Sequence, residues 1–120
     1  MNPLIPVMAG GAIGAGLRYL AALSLPVRGG WPWGTFAVNV LGGFAMGLLA
    51  ASLMKEGASE GVRLFVGVGI LGGFTTFSAF SLEGFRMIEL GQWGLALGYA
   101  FASVIGSIAA LAAGYALVRV

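Results

Sequence analysis

Four long stretches of this chain hold almost no ionisable side chain. Residues 4–25 carry only Arg18, residues 33–54 carry none, residues 62–90 have none between Arg63 and Glu83, and residues 93–118 again have none. A bilayer core about 30 Å thick takes roughly 20 residues of helix to cross, so each stretch is long enough to span it. With 120 residues and short connections, four crossings are the ceiling. A soluble domain of this size would carry roughly 25% charged residues. Here the share is 8%, against 59% hydrophobic. A water-soluble fold is thereby excluded, and residues 1–120 are expected to form a single four-helix membrane domain with no room for a nucleotide-binding or catalytic domain outside the bilayer.

The same scarcity removes whole classes of chemistry. Cysteine and histidine are absent, so disulfides, thiolate or imidazole metal sites, cysteine nucleophiles and histidine bases are out, and no enzyme is expected. A net charge of +2 spread over single arginines offers no patch for nucleic acid. A β-barrel would need polar and apolar residues alternating along strands of about ten residues, and no such alternation is present. Small residues recur instead at four-residue spacing, at Gly10/Gly14, Gly43/Gly47, Gly69/Gly73, Gly94/Gly98 and Gly106/Ala110/Gly114. In lipid that spacing lets helix backbones approach closely.

The connections follow from local chemistry. Met1-Asn2-Pro3 lacks the basic start and small-residue cleavage site of a signal peptide, so the first stretch is expected to stay as a span. Pro26 to Trp33 reads as a turn with headgroup-level aromatics, and Lys55 to Gly61 is the most polar run in the chain. The third stretch is too long. Its 29 residues would make about 43 Å of helix, so something must interrupt it, and Gly72-Gly73-Phe74-Thr75-Thr76 is the weak point near its middle. Positive charge does not choose a side. Lys55, Arg63 and Arg119 fall on the side of the termini, while Arg28 and Arg86 fall on the other, joined by Arg18 if it snorkels that way. A chain with so little orientation signal is expected to insert both ways round and to pair as an antiparallel, dual-topology homodimer.

Polar groups inside spans must find partners or line water, and they cluster. Thr35 and Asn39 share a face of the second span. Thr75, Thr76 and Ser78 crowd the weak point of the third. Tyr99, Ser103 and Ser107 repeat at i, i+4, i+8 in the fourth. Glu83 is the acid nearest to any span, and no carboxylate or lysine lies deep. Proton-coupled transport would need such a buried titratable group. A path lined by amide and hydroxyl donors suits passive passage of something small. Phe77 and Phe80, three apart on one face beside the break, add a sign, because the positive edge of a phenyl ring attracts an anion without trapping it.

These residues carry a resemblance. Gly72-Gly73-Phe74-Thr75-Thr76-Phe77-Ser78-Ala79-Phe80 resembles the third-span signature of the CrcB/Fluc fluoride channel family. The run from Gly34 to Phe44, through Thr35 and Asn39, resembles its second-span motif, and Gly10 to Tyr19, with Arg18, its first. The resemblance implies an all-α membrane protein with four transmembrane helices, the third broken near its middle. It also implies an antiparallel dual-topology homodimer in a bacterial inner membrane that exports fluoride passively. Phe77, Phe80 and Asn39 would be pore residues with Thr35 beside them, and Thr76, Ser78, Tyr99 and Ser103 would supply pore hydroxyls. Gly72 and Thr75 would hold a central structural sodium ion through backbone carbonyls. Arg18 would help seat the second helix or the vestibule, and Glu83 would belong to that vestibule. Ala79 departs from the threonine common in the family and removes one hydroxyl from the third helix. Two other readings compete. A small multidrug transporter would need an acid in the first span, where Arg18 is the one ionisable group. A non-transporting assembly subunit would pass no ion.

Overall fold

The structure, a computed structural model, describes residues 2–57 and 59–119. Four apolar helical segments cross the length expected of a bilayer: Leu4–Ser24, Trp33–Lys55, Glu60–Glu89 and Trp93–Arg119. Helix is dictated by the solvent, because in hydrocarbon every backbone N–H and C=O must be satisfied within the segment. The first helix, α1, spans Leu4–Ser24, and its start is capped by the Asn2 carboxamide, which accepts from the Leu4 N–H at 2.9 Å. α2 spans Trp33–Glu56 and ends on Gly57 in the left-handed conformation, its N–H returning to the Leu53 carbonyl. Glycine takes φ near +60° without the steric cost that a Cβ would bring.

The third span is two helices. α3 occupies residues 60–74, capped by the Ser59 hydroxyl, which accepts from the Val62 N–H; its first turn carries the Arg63–Glu60 ion pair. Nine of its residues, Arg63–Leu71, are wound as a π-helix, wider than the sequence pattern had suggested. α4 spans Phe77–Glu89, and α5, the fourth span, covers Trp93–Arg119. Gly72 and Gly73 remain helical. The interruption itself falls on Thr75 and Thr76, both extended, with ψ of 157° and 125°. Two local bonds put it there. The Thr75 hydroxyl donates back to the Leu71 carbonyl at 3.0 Å, and the Thr76 hydroxyl accepts from the Ala79 N–H at 3.1 Å. Threonine at that second position caps a new helix.

Glycine faces close the bundle in two tight pairs, α1 on α3 and α2 on α5. A methyl placed on Gly14 would stand 2.0 Å from the Ile70 carbonyl oxygen, and one on Gly47 would stand 2.0 Å from that of Leu111. Backbone rests on backbone there, so neither position can take a larger residue without moving a helix. Among the described residues, nothing lies within 4 Å of a Cβ placed on Gly94 or Gly98. Few side chains are fully enclosed, Val38 and Tyr99 most completely, while many Leu, Ile and Phe side chains point outward. Such an exterior matches lipid rather than water.

Candidate functional site

The break turns two backbone amides away from their own helix. In an unbroken helix the Thr76 N–H would reach the Gly72 carbonyl and the Ala79 N–H the Thr75 carbonyl. Instead, Thr76 N–H donates to Asn39 Oδ1 at 2.8 Å, and Ala79 N–H goes to the Thr76 hydroxyl. Asn39 answers by donating its Nδ2 to the Thr76 carbonyl at 2.9 Å. The carboxamide thus clips α2 to the extended turn with a reciprocal pair of bonds. Arg18 acts on the same turn from α1, its Nε donating to the Gly73 carbonyl at 3.1 Å. Its contact is with the third span.

Beside this turn lies a groove of about 410 Å³ between α2, the break and α5. Asn39, Gly72, Thr75, Thr76, Phe77, Phe80 and Ser103 line it, and Ser107 continues the wall one turn beyond Ser103. None of its lining side chains is titratable. The Phe77 and Phe80 rings stand 5.5 Å apart, inclined at 45°. Ser103 is 6% exposed, and its hydroxyl has no hydrogen-bond partner among the described residues. A buried hydroxyl is normally paired, so Ser103 places an unpaired hydrogen-bonding group beside the groove, its oxygen closed off in the single chain. Asn39 has one further amide hydrogen beyond the bond to Thr76.

The other expected residues lie elsewhere. Ser78 is exposed beyond the groove, its hydroxyl 3.2 Å from that of Thr76. Thr35 and Tyr99 form a second polar cluster with Glu83: the Thr35 hydroxyl donates to Glu83 Oε2 and the Tyr99 hydroxyl to Oε1, each at 2.9 Å. Phe80 joins the two regions, since its ring lines the groove and lies 5.1 Å from that of Tyr99. The acid that sequence placed at the edge of the membrane is thus drawn into the bundle, partly buried, by two hydroxyls from two other helices. Residues so far apart in sequence give no local signal of that meeting. Ser107 did have one, in its four-residue spacing from Ser103.

Known proteins resemble this chain along nearly its whole length. Residues 5–115 match the family model described as CrcB-like protein, Camphor Resistance (CrcB). The chain is similar to the fluoride-specific ion channel FluC of Mesorhizobium japonicum, at 55% identity over 122 residues, covering 99% of this chain and 98% of the relative. The protein of the same name from Caulobacter vibrioides is 53% identical over 123 residues (99% and 97%). That of Sphingopyxis alaskensis is 51% identical over 122 residues (99% and 97%).

Proposed function

This chain belongs to the CrcB-like protein family, and from that premise we propose that it is a fluoride-selective channel through which fluoride leaves the cell passively. The observation that carries the reading is the groove wall, where two phenyl rings, an amide and an unpaired buried hydroxyl converge without any group able to change its charge. A wall that cannot titrate suits a passive path, and donors with ring edges select an anion. Fluoride is small and strongly hydrated, so stripping its water requires donors at close quarters, which a larger halide in the same space would not engage as well. The relatives, named fluoride-specific channels over nearly their whole length, support the same ion. The decisive test is efflux from liposomes holding the purified protein, read with fluoride and chloride electrodes. Fluoride should leave and chloride stay. Fluoride leak no faster than from protein-free liposomes would overturn the proposal.

The channel works, on this reading, as an antiparallel homodimer. Its support is an open flank: Phe77, on the groove, is 75% exposed in the single chain, and the polar groove wall would otherwise face lipid. The unopposed Gly94 and Gly98 offer a further close-packing face. Reporter domains fused to the C-terminus should be active on both sides of the membrane, and adding two arginines to one loop should collapse that to one side. Single-sided activity in the unaltered chain would rule out dual topology.

A structural sodium ion completes the proposal. The residues fit it, since the Gly72 and Thr75 carbonyls have lost the amides that a continuous helix would supply, and hard cations take oxygen ligands. The Thr75 hydroxyl donates its hydrogen to the Leu71 carbonyl, while the ligands proposed here are the backbone carbonyls. Bound there, sodium would supply a permanent positive charge beside the anion path. Replacing sodium with a bulky organic cation is expected to lower the melting temperature of the purified protein. Thr75→Ala should keep that sodium response, because it spares the carbonyl. A melting temperature indifferent to sodium would remove the ion from the proposal.

A further inference from the structure

Trp31, at the end of the first loop, belongs neither to the groove nor to the Glu83 cluster, yet its ring touches Tyr99. It is mounted on a tight turn. The Arg28 N–H donates to the Trp31 carbonyl at 3.1 Å and the Trp31 N–H to the Arg28 carbonyl at 3.0 Å. Between them Gly29 and Gly30 have φ of +60° and +78°, the conformation of a two-residue hairpin turn that glycine pairs favour. Pro32 follows and leads directly into α2. From this mount the indole meets the Tyr99 ring edge to face, with centroids 5.2 Å apart at 80°, and Phe36 likewise at 5.4 Å and 74°.

Beyond Tyr99 the contacts continue to Phe80 at 5.1 Å and from Phe80 to Phe77 at 5.5 Å. One unbroken file of rings therefore runs from the first loop to the groove. Tyr99, in its middle, is 0% exposed; its hydroxyl is held by Glu83, and its ring by Trp31 and Phe80. The indole N–H is buried and has no partner among the described residues. Burying an unpaired donor is destabilising, so what this tryptophan contributes is its ring and not its N–H. The geometry points to Trp31 as a positioning residue that sets the Tyr99 ring and, through it, the angle at which Phe80 presents its edge to the ion. This inference rests on the fluoride-channel reading.

Three variants of the full chain, assembled and reconstituted in liposomes, test it: Trp31→Leu, Trp31→Phe and Gly30→Ala. Leucine keeps an apolar side chain but removes both edge-to-face contacts, so fluoride efflux should fall by about tenfold. It should also raise the ratio of chloride to fluoride efflux, which looser packing at a distance from the path would not do. Phenylalanine restores a ring and should hold efflux within about threefold of the unaltered chain. Gly30→Ala leaves Trp31 in place and disturbs its mount, because a Cβ there would lie 2.9 Å from the Leu95 side chain on a residue of φ +78°. It should shift selectivity in the same direction as leucine. Unaltered rate and selectivity in Trp31→Leu would overturn the inference, as would a phenylalanine variant as impaired as the leucine one. Should Trp31→Leu fail to assemble, Gly30→Ala decides, and unaltered selectivity there overturns the inference equally. An unaltered chain that passes no fluoride overturns the channel reading first and this inference with it.

Discussion

Asn39→Asp is expected to cut fluoride efflux by about a hundredfold, the factor that corresponds to losing roughly 2 to 3 kcal/mol when a buried hydrogen bond is broken and its partner left unpaired. The structure locates that loss. Asn39 Nδ2 donates to the Thr76 carbonyl while Oδ1 accepts from the Thr76 N–H. Aspartate keeps the second bond and sets an anionic oxygen against the carbonyl where the first had been. It also removes the further amide hydrogen on the groove and adds a charge that repels the ion. Asn39→Ala removes the clip without adding charge, so its efflux should fall between those of Asp and the unaltered chain. Electrode traces from the three proteins, each checked for assembly by size-exclusion chromatography, give the order. An aspartate variant as fast as the unaltered chain would leave Asn39 as a brace for the turn and nothing more.

Phe77→Ile and Phe80→Ile should each lower fluoride efflux by at least about tenfold, since isoleucine keeps apolar bulk and lacks the positive ring edge. The two are not equivalent. Phe77 is largely exposed in the single chain and, among the described residues, its ring meets only that of Phe80, so its replacement should leave the fold of the single chain intact, with dimer assembly checked alongside. Phe80 also packs on Tyr99, and its isoleucine variant should lose efflux and some thermal stability together. Methionine at either position retains a polarizable group and should spare more efflux than isoleucine. Chloride efflux is measured alongside. Fluoride efflux untouched by both isoleucine substitutions would reduce the rings to packing.

Most of the architecture was legible because the solvent leaves few choices. Scarce charges delimit four spans, and glycines at four-residue spacing announce close helix pairs. The ends were less so. α2 continues past Met54 because Lys55 can reach the Val118 carbonyl at 3.3 Å and Gly57 can close the helix. The third span begins early because Ser59 caps it. Hydropathy cannot see such bonds. The break was legible as a five-residue window, whereas its place within the window depended on which threonine bonds backward and which caps forward. Phe77 with Phe80, and Ser103 with Ser107, came together as helical spacing implied. The meeting of Thr35 and Tyr99 on Glu83 had no sequence signal, because it is made by the packing of three helices. The π winding of Arg63–Leu71 was equally hidden, since a run so uniformly apolar offers little periodicity from which to tell one helical pitch from another.

The two glycine-closed pairs also differ in when a growing chain can make them. α1 can seat on α3 before α5 has been made, but α2 must wait for α5, which comes later in the chain. Until then Gly43 and Gly47 have no surface to rest on. Glu83 meanwhile lacks the Tyr99 hydroxyl, one of the two that hold it in the folded bundle. Assembly therefore has a built-in order, with one half of the bundle free to dock before the other. α5 thus supplies a groove wall and also the second of the two hydroxyls that hold Glu83.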